Sequence, residues 1–290
     1  MLGGWPASCH PTKIYPMRNH VVPSGHAGLA VTEWGDGGLP IMALHPGVAD
    51  SRIWQWTAPA WADAGHRVVA YDRRGFGHTR YDEEPHDDMA DLRAVTQATS
   101  VRPAVIVGNS LGGGIALDLA LAHPEEVLGL VLIAPSPSGY PYADWPATEA
   151  EAELDRLVAA AEEAGDLELV NRLEIRYWLD GTEQPEGRVA GPARDLMAEM
   201  NGLALRAASA GETTSRPPAW PRVEEITAPT LVVAGQHDLA GVIRTCERLT
   251  ERLPDATSCT IAGSAHCPSL DQPESLNVVM LDFLGSVGGR

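Results

Sequence analysis

Gly108-Asn109-Ser110-Leu111-Gly112 directly follows the apolar run Ala104 to Val107 and directly precedes a helical pattern. A serine forced into a sharp strand-to-helix turn stands clear of the backbone, where its hydroxyl can act as a nucleophile. The turn crowds together the residues two positions to either side, and glycine at 108 and 112 removes the side chains that would collide. The helix beginning near Leu111 aims free N–H groups and its dipole at the reacting carbon, which favours developing negative charge. A serine hydroxyl is a poor nucleophile until a base takes its proton, so a histidine is required, with a carboxylate to orient it. On turns of this kind the acid and then the histidine follow the serine along the chain. Of 10 histidines, only His123, His237 and His266 come after Ser110. Asp238 stands just beyond the apolar run Thr230 to Ala234, and His266 is the one histidine after it, in Gly263-Ser264-Ala265-His266. Either residue alone would pass as a surface aspartate or a loop histidine. Their joint placement at strand ends predicts Ser110 as nucleophile, His266 as base and Asp238 as the orienting acid.

A tetrahedral intermediate needs N–H donors for its oxyanion. Leu111 supplies one, and the loop after Ile41 to Leu44 should supply another. That loop reads His45-Pro46-Gly47-Val48. Proline has no N–H, so Gly47 is the first choice and Val48 the second. His45 reads as a pin for the loop, with a place on the substrate pocket as the alternative.

These groups need a sheet to hold them. Apolar runs at Ile41 to Leu44, Val68 to Tyr71, Ala104 to Val107, Leu128 to Ile133 and Thr230 to Ala234 are bounded by turn residues, with weaker candidates at Val31 to Trp34 and Thr257 to Ile261. Helical patterns at Ile53 to Ala64, Met89 to Thr99, Leu111 to Ala122, Gly241 to Leu253 and Pro273 to Leu284 separate them. This alternation predicts an α/β fold with a doubly wound, mostly parallel sheet covered on both faces. It stops after Ile133 and resumes at Pro229, leaving an interval too rich in helical periodicity to be a loop. Leu154, Leu157, Val158 and Ala161 recur at helical spacing, as do Val170, Leu173 and Tyr177, and Pro192 opens a third helix. An inserted helical cap over 137–220 is expected, between catalytic-domain segments 25–136 and 221–290, after a flexible tail of residues 1–24 in which Met17 is a second candidate start. The cap would roof the pocket. Its aromatics Trp145, Tyr177 and Trp178 are candidates for that lining, or for packing the cap onto the core.

The motifs resemble the α/β-hydrolase superfamily, specifically its capped serine esterase and lactonase branch, from about Leu29 to the end. Besides the Ser110 turn, Asp72-Arg73-Arg74-Gly75-Phe76-Gly77-His78-Thr79 is similar to a turn with a structural role there, which implies that Asp72 is not the orienting acid. Gly263 to Pro268, followed by Asp271-Gln272-Pro273-Glu274, resembles the family's histidine loop with its downstream proline. His45-Pro46-Gly47 departs from the usual His-Gly.

The net charge is -18, and of 21 basic residues only Lys13 is a lysine, so no basic stripe is available for phosphates and no nucleic-acid partner is expected. No segment could span a bilayer, and no membrane partner is expected. Cys9, Cys246, Cys259 and Cys267 have neither zinc-site spacing nor disulfide density, so reduced thiols in a cytoplasmic protein are expected. No metal and no organic cofactor is called for. Between Asp144 and Glu199 there are 15 acidic and 5 basic residues, an excess that disfavours anionic substrates at the mouth.

The leading expectation is hydrolysis of a neutral small-molecule ester or lactone through an acyl-enzyme. Asn109-Ser110-x-Gly-Gly also fits carbon–carbon hydrolysis of diketone-like ring-cleavage products. Cofactor-free haloperoxidases, hydroxynitrile lyases and a ligand receptor are further uses of the same constellation. A homodimer is left open.

Overall fold

The computed structural model describes residues 17–142 and 146–289. One sheet is built from β1 (Arg18–Ser24), β2 (Ala27–Trp34), β3 (Pro40–Leu44), β4 (Arg67–Tyr71), β5 (Ala104–Asn109), β6 (Val127–Ile133), β7 (Thr230–Gly235) and β8 (Ala256–Ile261). Its order is β1-β2-β4-β3-β5-β6-β7-β8. β2 runs antiparallel to both β1 and β4, and the remaining neighbours are parallel. The helices are α1 (Ala58–Asp63), α2 (Asp88–Ala98), α3 (Leu111–Ala122), α4 (Glu149–Glu163), α5 (Leu167–Ile175), α6 (Pro192–Leu205), α7 (Ala240–Arg252), α8 (Pro268–Asp271) and α9 (Pro273–Gly288).

Strand side chains alternate between two layers of core. Met42 and Leu44 of β3 join Leu92 of α2, Leu117 of α3 and Leu249 of α7, whereas Ile41 and Ala43 join Trp61 of α1 and Met280 of α9. Burial on both faces is why these strands read as unbroken apolar runs, and each buried Leu or Ile contributes about 1.5–3 kcal/mol. β3 leads to β4 on one side while β5 leads to β6 on the other. The loops leaving the carboxyl ends of β3 and β5 therefore diverge and open a crevice between them.

Two expectations need correction. The expectation of a flexible tail over residues 1–24 does not hold at Arg18–Ser24, which forms β1, paired with β2 from Arg18 opposite Glu33 to Ser24 opposite Ala27. It is an edge strand buried only at Val22 and carries Pro23, so it shows no apolar run. The expected helix Ile53 to Ala64 is broken into a 3-10 turn, Ser51–Trp54, and the separate α1. Asp50 caps the turn by accepting from the Arg52 N–H, and Pro59, lacking an N–H, restarts the helix.

Between β6 and β7 the chain forms α4, α5 and α6, with α5 packed against both others. α5 runs on into a π-helical turn, Arg176–Asp180, which ends at Gly181 with φ 89°. Wide turns of this type leave carbonyls without intrahelical partners and recur where a chain must make outside contacts. Among the described residues no helix is long and apolar enough to cross a membrane.

Candidate active site

Ser110 lies at the crevice, between the last residue of β5 and the first of α3, with φ 54° and ψ -115°. A side chain in that region is strained unless its surroundings over-determine it. Here the Ser110 N–H donates to Ile133 O at 2.9 Å, and the Ser110 carbonyl accepts from the N–H groups of Gly114 and Ser136, each at 3.0 Å. A Cβ on Gly108 would lie 2.3 Å from Gly112 O, and one on Gly112 would lie 2.4 Å from Leu44 O. Gly112→Ala is accordingly expected to lower stability by at least about 1–3 kcal/mol, read from urea unfolding. An unchanged midpoint with unchanged slope would contradict this packing of the turn.

The loops after β7 and β8 bring Asp238 and His266 together. The imidazole Nδ1 is 3.0 Å from each carboxylate oxygen, and both side chains are essentially inaccessible. An ionised carboxylate can only accept, so Nδ1 carries the hydrogen and Nε2 keeps its lone pair. Asp238 Oδ1 also accepts from the Leu239 N–H at 2.8 Å, which fixes the carboxylate. Asn109 Nδ2 donates to Ile133 O at 3.1 Å and to His266 O at 3.2 Å, tying the serine turn to the histidine loop. Ser110 and His266 line one cleft of about 270 Å³ together with Trp178, Tyr142, Glu151 and Leu239. A neighbouring cleft of about 260 Å³, beyond Ser136, contains neither Ser110 nor His266. The first of these is the cleft on which the expected nucleophile and base meet.

Asp72 is engaged elsewhere: its oxygens accept from the N–H groups of Ser51 at 2.9 Å and His78 at 2.7 Å. The pocket role considered for His45 is corrected. Its ring is fully buried, Nδ1 donates to Pro46 O at 2.7 Å, and Nε2 accepts the Arg73 N–H at 3.1 Å. Burial first and the Arg73 charge second hold its pKa well below the ordinary histidine value, so it is a neutral pin for the loop. Gly47 and Val48 follow that pin, and a Cβ on Gly47 would come within 3.9 Å of Leu111 Cδ2, so the loop lies beside the start of α3. Tyr177 is likewise corrected. It is not among the described residues lining the cleft; it lies close to Asp155 of α4 and meets the Trp178 ring edge-on at 4.7 Å. Burial, then Asp155, pushes its phenol upward in pKa. Trp145 lies outside the described residues.

Trp178 does line the cleft, and its ring centroid is 4.5 Å from that of His266. Sequence reading missed Glu151 and Tyr142. Glu151 forms a capping box with Thr148 at the start of α4, and its Oε1 accepts from the Ala240 N–H at 2.9 Å, holding the insertion to the first residue of α7. Thr148-x-x-Glu151 announces a helix start, but nothing local announces the second contact. Tyr142 is partly exposed and its hydroxyl is 3.4 Å from Ser136 Oγ. Cys267, beside His266, is fully buried, and burial pushes its thiol well above the ordinary value, away from a reactive thiolate.

Over residues 40–273 the chain matches the family described as alpha/beta hydrolase fold. The chain belongs to the alpha/beta hydrolase fold family. One relative within it, a protein of Variovorax paradoxus assigned as a carbamate hydrolase, is 32% identical over 243 residues, covering 81% of this chain and 87% of its own length. The 2-hydroxymuconate semialdehyde hydrolase of a Pseudomonas species is 36% identical over 157 residues, 48% of this chain and 53% of that protein. Among solved structures, an N-acyl homoserine lactone degrading enzyme superposes with a TM-score of 0.68 at 26% identity, over 92% of this chain and 100% of that one. This alpha/beta hydrolase thus has relatives named for three different substrates, and family membership alone leaves the substrate undecided.

Proposed function

We propose that the protein is a serine hydrolase cleaving a neutral ester or lactone through an acyl-enzyme. The observation that carries this is the buried Asp238–His266 pair, with both carboxylate oxygens 3.0 Å from Nδ1, on the same cleft as Ser110. His266 Nε2 takes the Ser110 hydroxyl proton while Oγ bonds to the carbonyl carbon, giving a tetrahedral oxyanion. The oxyanion accepts from the Leu111 N–H and from Gly47, with Val48 as the second choice. Support for Gly47 comes from Pro46 O, which is drawn inward by His45 and by Arg73 Nη2 at 2.7 and 2.9 Å. In a trans peptide the Gly47 N–H then points the opposite way, out of that buried layer. Collapse breaks the bond to the leaving oxygen, which takes the proton from His266. Water, deprotonated by His266, then attacks the acyl carbon, and Ser110 regains its proton as the acid departs. Segment 137–220 acts as the cap over this site.

The lining favours a substrate without negative charge. Among the described residues around the cleft the one carboxylate is that of Glu151, and there is no lysine or arginine. A diketone-type carboxylic acid would have to lose solvation there without a cation to replace it. The lactone-degrading structural relative supports the same direction.

The test compares a p-nitrophenyl butyrate, its carboxylate-bearing analogue, a lactone and a diketone-type acid at low and high salt. The neutral ester is expected to exceed its anionic analogue in kcat/KM by about 10-fold or more at low salt, with the gap narrowing as salt screens charges beyond about 10 Å. Equal values would remove the electrostatic argument. Turnover of the diketone acid alone would move the reaction to carbon–carbon cleavage. Trp178→Ala is expected to shift the preferred acyl chain length, since its ring forms part of the wall.

A further inference from the structure

The insertion does more than cover the cleft; it holds the histidine loop. The three last carbonyls of the π-helical turn that would lack intrahelical partners all meet outside donors. Trp178 O accepts the His266 N–H at 3.1 Å. Leu179 O and Asp180 O both accept from Arg188, at 2.6 Å from Nη2 and 2.6 Å from Nε. The same guanidinium reaches across to the other segment, donating from Nη1 to Gly263 O and from Nη2 to Asp271 Oδ2 at 2.8 Å. Asp271, almost wholly buried, gathers the rest of the loop: Ser264 Oγ donates to its Oδ1 at 2.6 Å and the Ala265 N–H to its Oδ2 at 2.9 Å. Every residue from Gly263 to His266 is therefore bonded to Arg188, to its carboxylate partner or to the turn that Arg188 braces.

On the reading of His266 as the base, we infer that Arg188 is a positioning residue for catalysis. Its planar fork fixes the distance between the π-helical turn and the Gly263–His266 loop, and so sets where the imidazole stands relative to Ser110. A guanidinium suits this because it presents five donors in a fixed plane, enough to bridge two backbone segments and a carboxylate at once, whereas an ammonium is a single point of donation. Gly181 adds to the same junction: it sits at φ 89° with its Cβ position 2.5 Å from His237 O, pressing the end of the turn against the loop that carries Asp238. The insertion is thus held against both loops on this side.

The experiment measures kcat and KM on p-nitrophenyl butyrate for wild type, Arg188→Lys, Arg188→Ala, the double variant Arg188→Leu with Asp271→Asn, and His266→Ala. The double variant removes both charges, so it avoids leaving a buried carboxylate unpaired and keeps the question answerable if Arg188→Ala folds poorly. Displacing a catalytic group by about 1 Å can cost about 10²-fold, so kcat is expected to fall about 10- to 100-fold in the folded Arg188 variants while KM stays within about twofold. Arg188→Lys should recover only part of the loss. Added methylguanidinium should raise kcat of Arg188→Ala several-fold and leave wild type unchanged. Wild-type kcat in the folded double variant, or a raised KM at unchanged kcat, overturns the inference while leaving the hydrolase reading intact. Normal turnover in His266→Ala would instead overturn that reading, and the inference with it.

Discussion

Ser110→Ala is expected to lower kcat by about 10⁶-fold, because in the proposed mechanism the residue forms the covalent bond that divides one difficult step into two. The residual rate would still exceed that in water, since the oxyanion donors and the cleft survive the change. The protein should remain folded: the contacts that hold the turn are made by the Ser110 backbone with Ile133, Gly114 and Ser136, and its side chain is only half-buried. The φ of 54° remains strained for alanine as for serine, so no new backbone cost arises. A fluorophosphonate should label wild type at Ser110 alone, in a peptide identified by mass spectrometry. Labelling at a different serine, or a mutant turning over at the wild-type rate, would put the chemistry somewhere else.

Asp238→Asn is expected to reduce kcat by about 10²- to 10⁴-fold with the fold retained. In the proposed roles the carboxylate accepts from His266 Nδ1, which leaves Nε2 free to act as base. An asparagine amide of nearly the same shape can turn its NH2 toward Nδ1, which moves the imidazole proton to Nε2 and leaves no lone pair facing Ser110. It also withdraws the negative charge that stabilises the imidazolium formed during attack. Asp72→Asn is the matched control, and its loss should appear in stability, because Asp72 holds the N–H groups of Ser51 and His78. The assignment of the acid fails if Asp238→Asn is nearly silent while folded Asp72→Asn is dead.

The insertion's three helices and most of the sheet were legible because burial on one or both faces imposes a period, and period is a local property of sequence. β1 was not legible. Its one buried residue, Val22, imposes no pattern, and its place in the sheet comes from backbone pairing with β2. Gly108 declares the turn because its Cβ would meet Gly112 O four residues on, whereas Gly112 is required by the approach of Leu44 at the end of β3, a contact that only the assembled sheet creates. Asp238 and His266 could be named from chain order and strand ends, since parallel strands deliver their loops to the same edge.

Which other groups meet them was decided by tertiary packing. Arg188 and Gly263 are 75 residues apart, and Arg188 and Asp271 are 83 apart; neither pairing leaves a trace in local spacing. His45 and Tyr177 have types suited to a pocket, yet one is turned into the buried layer under its loop and the other toward α4. The sequence by itself determined the fold family and offered the proposed nucleophile, acid and base, because residue type and order on a periodic framework are carried by the chain alone. Only the tertiary structure decided what surrounds the imidazole, because long-range contacts depend on how the π-helical turn and the β8 loop close on each other, and that closure is a property of the packed whole.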